Sequence, residues 1–286
     1  MELVAFGTQE GKVKVGVLKA NKAQTLYAHN HAVVALTTSL DRTKLLCGHL
    51  DGAIFVYNFD ASADSEGKMS GMGNAPMLAT NTNAEAAGAR RIIVHPCPPQ
   101  VLAWGEHVIV GGADCAVTFY NPQNGHKVQS REFSVRVDGE ITSGACNPSG
   151  TSFVSGSRDK LRVFNFNIRS RKWEEGVVVD LPNSYTLPLL RWKDDGSRLC
   201  VATLTGAVEM FDTCMRRYRV QNNAFELTYV CHNQVIVRRM SNGTQLVLRS
   251  AMGHEITKVH VQKERFLVAH TPASLLVGDL ITCQLS

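Results

Sequence analysis

Leu40-Asp41-Arg42-Thr43-Lys44-Leu45-Leu46-Cys47-Gly48-His49-Leu50-Asp51-Gly52-Ala53-Ile54-Phe55-Val56-Tyr57 decides the fold class. It reads as a turn, an apolar strand (Leu45 to Cys47), a small-residue loop (Gly48 to Gly52) and a second apolar strand ending on an aromatic (Ile54 to Tyr57). The order recurs. Gly111-Gly112-Ala113-Asp114 precedes Val117 to Tyr120, and Asn147-Pro148-Ser149-Gly150 leads to Gly156-Ser157-Arg158-Asp159 and Val163-Phe164. A further copy runs from Asp194-Asp195-Gly196 through Leu199-Cys200-Val201 and Thr205-Gly206 to Val208 and Phe211. The closing aromatics Tyr57, Tyr120, Phe164 and Phe211 are 63, 44 and 47 residues apart, and the turn positions Thr43, Gly150 and Gly196 are 107 and 46 apart, so turns and strands drift together. Several short strands repeating every ~40–45 residues mark the blades of a β-propeller, an architecture whose default use is binding.

Within each unit the repeated residues have a structural reading. Gly48, Gly112 and Gly156 end a strand at a tight loop, where glycine is expected to adopt a positive φ. Asp51, Asp114 and Asp159 are expected to accept backbone N–H bonds in that loop. Because they occupy the same place in successive repeats, they read as loop braces and not as a set of catalytic acids. Alternation in Leu161-Arg162-Val163-Phe164-Asn165-Phe166 sends Leu161, Val163 and Asn165 to one face and Arg162, Phe164 and Phe166 to the other, leaving both faces partly apolar, as stacked sheets require. Trp104 and Trp192 end equivalent first strands and read as core.

At 286 residues, 44% hydrophobic and 19% charged, the chain has ample material for a core, and its apolar runs fall far short of the ~20 residues of a membrane span. Met1-Glu2-Leu3-Val4-Ala5-Phe6-Gly7 carries no secretory pattern. The eight cysteines lack any C-x-x-C pair and read as small buried thiols. Asn242-Gly243 between two apolar runs reads as a hairpin turn. The net charge of +5 is spread over small groups, Arg90-Arg91, Arg169-Ser170-Arg171-Lys172, Arg216-Arg217-Tyr218-Arg219 and Arg238-Arg239. These read first as solvated charge that protects strand edges, and second as a weak, salt-sensitive attraction to anionic lipid or acidic surfaces. No nucleic-acid motif accompanies them.

The search for chemistry gives no catalytic, cofactor or metal residue. His29-Asn30-His31 sets two imidazoles on one face, and His95-Pro96-Cys97 sets a thiol beside a histidine, but neither has a second ligand pair at a recognised spacing. No serine stands in a G-x-S-x-G elbow, and Gly71-Met72-Gly73 lacks the flanks of a phosphate loop.

Two stretches break the repeat. Asp60 to Arg91 is dominated by Ala, Gly, Ser, Asn and Met and reads as a disordered insertion, and removing about 20 residues there restores the ordinary spacing. After Phe211 the Gly-x-x-Asp pattern fades into Phe225 to Val230 and Gln234 to Val237, followed by Lys258 to Val261, Phe266 to Ala269 and Leu275 to Val277. The expected fold is all-β: WD40-like blades of four-stranded antiparallel sheets. An incomplete first propeller over residues 1–220, with its disordered insertion at about 60–91, runs into the start of a second over residues 221–286.

Particular words beyond the repeat carry a resemblance. They are His95-Pro96-Cys97-Pro98-Pro99 with Leu102-Ala103-Trp104, Asp159-Lys160-Leu161-Arg162-Val163-Phe164-Asn165, and Trp173-Glu174-Glu175. The strongest is Trp192-Lys193-Asp194-Asp195-Gly196-Ser197-Arg198-Leu199-Cys200-Val201. Phe225-Glu226-Leu227-Thr228-Tyr229-Val230, Leu267-Val268-Ala269-His270-Thr271 and Gly278-Asp279-Leu280 extend it. On these the chain resembles the intraflagellar transport protein 172 family over nearly its whole length. The resemblance implies a piece of an N-terminal WD40 β-propeller region, and with it a non-enzymatic scaffold of the intraflagellar transport complex B particle. The implied partners are other complex B subunits, the implied role is cilium and flagellum assembly, and the implied location is the cilium or flagellum, basal body and cytoplasm. Two alternatives use the same blades: a scaffold of another trafficking or coat assembly, and an enzyme with a site in the propeller channel. The second would be marked by a pocket that gathers three ionisable groups.

Overall fold

The computed structural model describes residues 3–18, 22–59, 88–182, 184–282 and 284–285. They form seven antiparallel sheets. The first holds three strands, β1 (Leu3–Gly7), β2 (Lys12–Val17) and β3 (Lys22–Ala28). The second holds β4 (Val33–Thr38), β5 (Lys44–His49), β6 (Ala53–Asn58) and β7 (Ala89–Val94). The third holds β8 (Pro99–Trp104), β9 (Val108–Gly112), β10 (Ala116–Tyr120) and β11 (Lys127–Glu132). The fourth holds β12 (Ile141–Cys146), β13 (Ser152–Ser157), β14 (Lys160–Asn167) and β15 (Lys172–Asp180). The fifth has β16 (Leu189–Trp192), β17 (Arg198–Ala202) and β18 (Val208–Asp212). The sixth has β19 (Arg216–Val220), β20 (Phe225–Cys231), β21 (Gln234–Arg239) and β22 (Gln245–Arg249). The seventh has β23 (Lys258–Gln262), β24 (Phe266–His270), β25 (Leu275–Asp279) and β26 (Gln284–Leu285).

Each sheet is a meander in which every strand pairs with the next in sequence, as WD40-like blades are built. Successive first strands lie beside one another, β1 by β4, β4 by β8, β8 by β12 and β12 by β16, so the sheets stack face to face. Residues of the opening stretch pair as the repeat requires, Leu45 with Tyr57 and Cys47 with Phe55. The Asn242-Gly243 hairpin forms as expected, with Gly243 at φ 72° and the Thr244 N–H donating to Asn242 Oδ1 at 3.0 Å.

Strand β14 shows why both faces of a blade are apolar. Phe164 and Phe166 join a core with Phe119, Phe153 and Trp173 toward the third sheet. Leu161 and Val163 join a different core with Leu187, Trp192, Leu199 and Val201 toward the fifth. Equivalent cores join the first sheet to the second through Tyr27 and Phe55, and the second to the third through Leu46 and Val110. A separate core around Phe225, Tyr229, Val237, Leu248 and Leu267 joins the sixth to the seventh. Between the fifth and sixth sheets the contacts are of another kind. Gln234 Nε2 donates to the Asp195 carbonyl at 3.0 Å, and Arg249 of the sixth sheet reaches back to the fourth, Nη2 donating to the Ser149 carbonyl at 2.6 Å.

Four expectations change in detail. Gly48, Gly112 and Gly156 do not have positive φ; they are glycine for lack of space. A Cβ on Gly48 would lie 2.5 Å from Pro99 Cγ, one on Gly112 2.7 Å from the Pro98 carbonyl oxygen, and one on Gly156 2.5 Å from Ser143 Oγ. The left-handed residue comes after the aspartate, at Gly52 (φ 83°) and Cys115 (φ 53°). Asp51 and Asp114 accept the N–H of Ala53 and Ala116 as expected, but Asp159 Oδ1 is buried with no hydrogen-bond partner. The insertion expected at about 60–91 lies outside the described residues up to 87, and its end at Ala89 to Arg91 is the start of β7, paired with β6. Residue 221 sits in the turn of the β19–β20 hairpin, inside one sheet.

Candidate functional site

A backbone clasp recurs where one sheet passes to the next. In the four-stranded second and third sheets the turn between the second and third strands offers a carbonyl to the N–H just beyond the fourth, and in the three-stranded first sheet the β1–β2 turn does so to the N–H just beyond β3. Gly11 O thus accepts from His29 N at 3.0 Å, Gly52 O from His95 N at 2.8 Å and Cys115 O from Phe133 N at 2.9 Å. At Gly52 the approach is so close that a Cβ would stand 2.0 Å from the His95 carbonyl oxygen. The clasp brings each linker over the following turn, and in two places it assembles a cluster of polar side chains.

In the first cluster His29 Nε2 lies 2.9 Å and His31 Nδ1 3.3 Å from Asp51 Oδ2. His49 stands behind them with its ring 4.6 Å from that of His29, centroid to centroid. Its Nδ1–H donates to the His31 carbonyl at 2.8 Å, and its Nε2 accepts from the Tyr27 hydroxyl at 3.0 Å. Burial holds the His49 imidazole below its ordinary pKa and pushes the Tyr27 phenol up. Burial works against the Asp51 carboxylate, but the His29 contact and the Ala53 N–H outweigh it and hold the carboxyl below its usual range.

In the second cluster, one sheet along, His95 takes the place of His29, Cys97 that of His31 and Asp114 that of Asp51. His95 Nδ1 lies 2.9 Å from the Tyr120 hydroxyl, and Nε2 lies 3.1 Å from Asp114 Oδ2. Burial raises the Cys97 thiol pKa and pushes Tyr120 up to about 12. In both clusters the donor atoms lie within 4.8 Å of one another. The His-x-His pair expected on one face of a strand lies in the linker between β3 and β4, and the His-x-Cys pair in the linker between β7 and β8; the sequence found no further ligand for either. The third member was in view as Asp51 and Asp114, read there only as loop braces. The missed signal is the coincidence of two repeats: each pair precedes a first strand, and each aspartate follows a glycine two strands later.

Elsewhere polar groups are mutually committed. In the fourth sheet Arg162 bridges Glu175 at 2.8 Å and Asp138, with its guanidinium 4.6 Å from the Phe133 ring centre. Burial opposes ionisation of Asp138, yet the Arg162 hydrogen bond holds its carboxyl below the ordinary value. A cleft of about 300 Å³ between the fifth and sixth sheets is lined by Lys193, Asp195, Arg198, Arg217, Glu226 and Arg238 among others. It gathers more than three ionisable groups, but Asp195 is tied to Lys193 at 2.6 Å and to the Ser197 hydroxyl at 2.7 Å, and Glu226 lies 3.6 Å from Arg219. All seven cysteines among the described residues are free thiols. Among the same residues no helix is long and apolar enough to cross a membrane.

No protein-family model matches the chain. Among solved structures, a chain of the mitotic checkpoint complex superimposes with a TM-score of 0.52 over 96% of this chain and 82% of that one, at 12% identity, a likeness of fold alone. Sequence relatives are more specific. The mouse intraflagellar transport protein 172 homologue is 43% identical over 99% of this chain, the Chlamydomonas reinhardtii intraflagellar transport protein 172 is 39% identical over 99%, and Caenorhabditis elegans intraflagellar transport protein osm-1 is 30% identical over 96%. The chain spans about 15% of the length of these relatives. The words quoted from the sequence, the WD40-like blades and this identity along the whole chain converge: over 99% of its own length, the chain is similar to intraflagellar transport protein 172.

Proposed function

We propose that the chain is a propeller segment, from the N-terminal region, of a non-enzymatic scaffold subunit of the intraflagellar transport complex B particle. It would act by protein–protein contact in the assembly and traffic of cilia and flagella, at the cilium, basal body and cytoplasm. The observation that carries this reading is identity of 39–43% over 99% of the chain to proteins named for intraflagellar transport. The commitment of the cleft's acids to neighbouring cations and hydroxyls favours binding over catalysis. The spread basic groups supply at most a salt-sensitive attraction to acidic partners or anionic lipid.

In the same reading the first five sheets belong to one propeller and the last two begin another. The supporting observation is the run of shared cores from the first to the fifth sheet and the separate core of the sixth and seventh. Val220 packs on that second core, so the division is drawn between β18 and β19. Affinity purification of the tagged chain from ciliated cells tests the function. Recovery of complex B subunits supports it, and recovery of coat subunits in their place transfers the chain to another trafficking scaffold.

A further inference from the structure

Taking the chain as a protein–protein scaffold, we propose that the cleft between the fifth and sixth sheets docks an acidic segment of a partner protein, with Arg198 and Arg238 receiving its carboxylates. Where the fourth sheet is apolar on both faces, the sixth is charged on one. Its strand registers place Arg217, Thr228 and Ile236 in one cross-strand row and Arg219, Glu226, Arg238 and Gln245 in the next. By alternation, both rows lie on the face opposite Leu227, Val237 and Leu246, which join the core toward the seventh sheet. Charged groups of this kind cannot interlock as the apolar cores of the earlier sheets do. A cleft of about 300 Å³ opens there against Lys193, Asp195 and Arg198 of the fifth sheet.

The carboxylates around the cleft are engaged, and two of its arginines are not. Asp195 takes Lys193 Nζ at 2.6 Å and the Ser197 hydroxyl at 2.7 Å. Arg238 stands opposite Glu226 in register, but Glu226 is paired with Arg219 at 3.6 Å. Arg198 stands opposite Asp212, but Asp212 is paired with Arg217 at 3.3 Å. Among the described residues Arg198 and Arg238 have no ion-pair partner, and both are exposed. Lys193, Arg198, Arg217, Arg219 and Arg238 thus face only Asp195, Asp212 and Glu226, an excess of two positive charges. The two unpaired guanidinium groups come from different sheets, and each can take a carboxylate through two parallel N–H donors. The Gln234 side chain, donating to the Asp195 carbonyl at 3.0 Å, ties the sixth sheet to the fifth beside the cleft, so little ordering is left for binding to impose. A recess at the lower end of the ~300–1,000 Å³ range of ligand pockets admits side chains and not the flat surface of a bilayer. It has no aromatic ring in its lining on which a nucleobase could stack. An occupant held from both walls would brace the junction between the two sheets.

The test titrates the full chain into fluorescently labelled hexaglutamate and reads anisotropy. Saturable binding is expected at low salt, weakening as salt is added. Arg198→Gln and Arg238→Gln should each weaken it by about 10-fold, the worth of one charge-assisted contact, and the double variant by more than either. Arg169→Gln removes the same charge in the turn between β14 and β15 and should change binding by less than ~2-fold, since solvent and salt screen it there. Both cleft arginines are exposed, so their loss leaves the core intact, and the salt series needs no variant at all. Absence of saturable binding, an equal loss in Arg169→Gln, or full binding by the double variant would each overturn the site. Pelleting with phosphatidylserine vesicles that depends on the two arginines and resists hexaglutamate would overturn it too, in favour of a membrane. Subunit recovery from cells is a separate readout: hexaglutamate binding without complex B subunits keeps the cleft and removes the scaffold assignment, and the reverse result does the opposite.

Discussion

Strand β14 faces two cores at once, and that arrangement sets how mutations on it should combine. Phe164 is 1% exposed, with the rings of Phe119, Phe153 and Phe133 at 5.9, 6.1 and 6.4 Å. Phe164→Ala removes a buried aromatic and is expected to cost about 3–5 kcal/mol. Against a domain stability of roughly 5–15 kcal/mol, that is a fifth or more. The sharper test uses the milder Phe164→Leu in two double-mutant cycles read by urea unfolding. With Phe119→Leu, which shares its core, the coupling should be about 0.5–1.5 kcal/mol. With Leu161→Ala, three residues and ~10 Å along the strand but in the opposite core, the effects should add to within about 0.5 kcal/mol. Equal coupling in the two cycles, or a Phe164→Ala cost under ~1 kcal/mol, would refute the two-core account of the blade.

Three further outcomes are expected. Gly48→Ala should lower stability by about 1–3 kcal/mol, because its methyl meets the stiff Pro99 ring at 2.5 Å, and Pro99→Ala in the same chain should restore part of the loss; an unchanged unfolding midpoint would put the reason for glycine elsewhere. Burial lowers the folded pKa of His49, so its contribution is complete above the unfolded value of about 6.5 and is lost as pH falls through the folded one. The thermal midpoint should therefore drop from pH 7 to pH 5, with His49→Gln flattening the decline; a profile of the same slope in that variant counts against the assignment. Leu3, Val4 and Phe6 on the edge strand β1 are exposed, at 53, 42 and 38%, and the isolated chain is expected to self-associate. Light scattering that finds a compact, cooperatively melting monomer contradicts this.

The strands after Phe211 were legible despite the loss of the Gly-x-x-Asp rhythm, because runs such as Phe225 to Val230 and Leu246 to Leu248 carry β-forming residues whatever their turns. Turn chemistry was legible where one residue decides it, as at Gly243. What the letters hid depends on distance in space. Gly48 looks like a turn glycine, and only the ring of Pro99, from the next sheet, reveals a packing glycine. Asp114 looks like a loop brace until the linker folds His95 over it. Residue 221 lies where the sequence rhythm changes, yet Val220 pairs with Phe225 across it, since a hairpin needs only a turn there and the run of asparagines with positive φ supplies one.

The contacts between the fifth and sixth sheets bear on mechanics. Donors on Gln234 and Arg249 grip carbonyls of Asp195 and Ser149, and Ser149 Oγ meets Cys231 Sγ at 3.5 Å. Bonds of this type can be exchanged for water one at a time, whereas interlocked aromatic cores give way only together. A pulling force applied along the chain would find this line first and separate the last two sheets as a unit before any earlier blade opens.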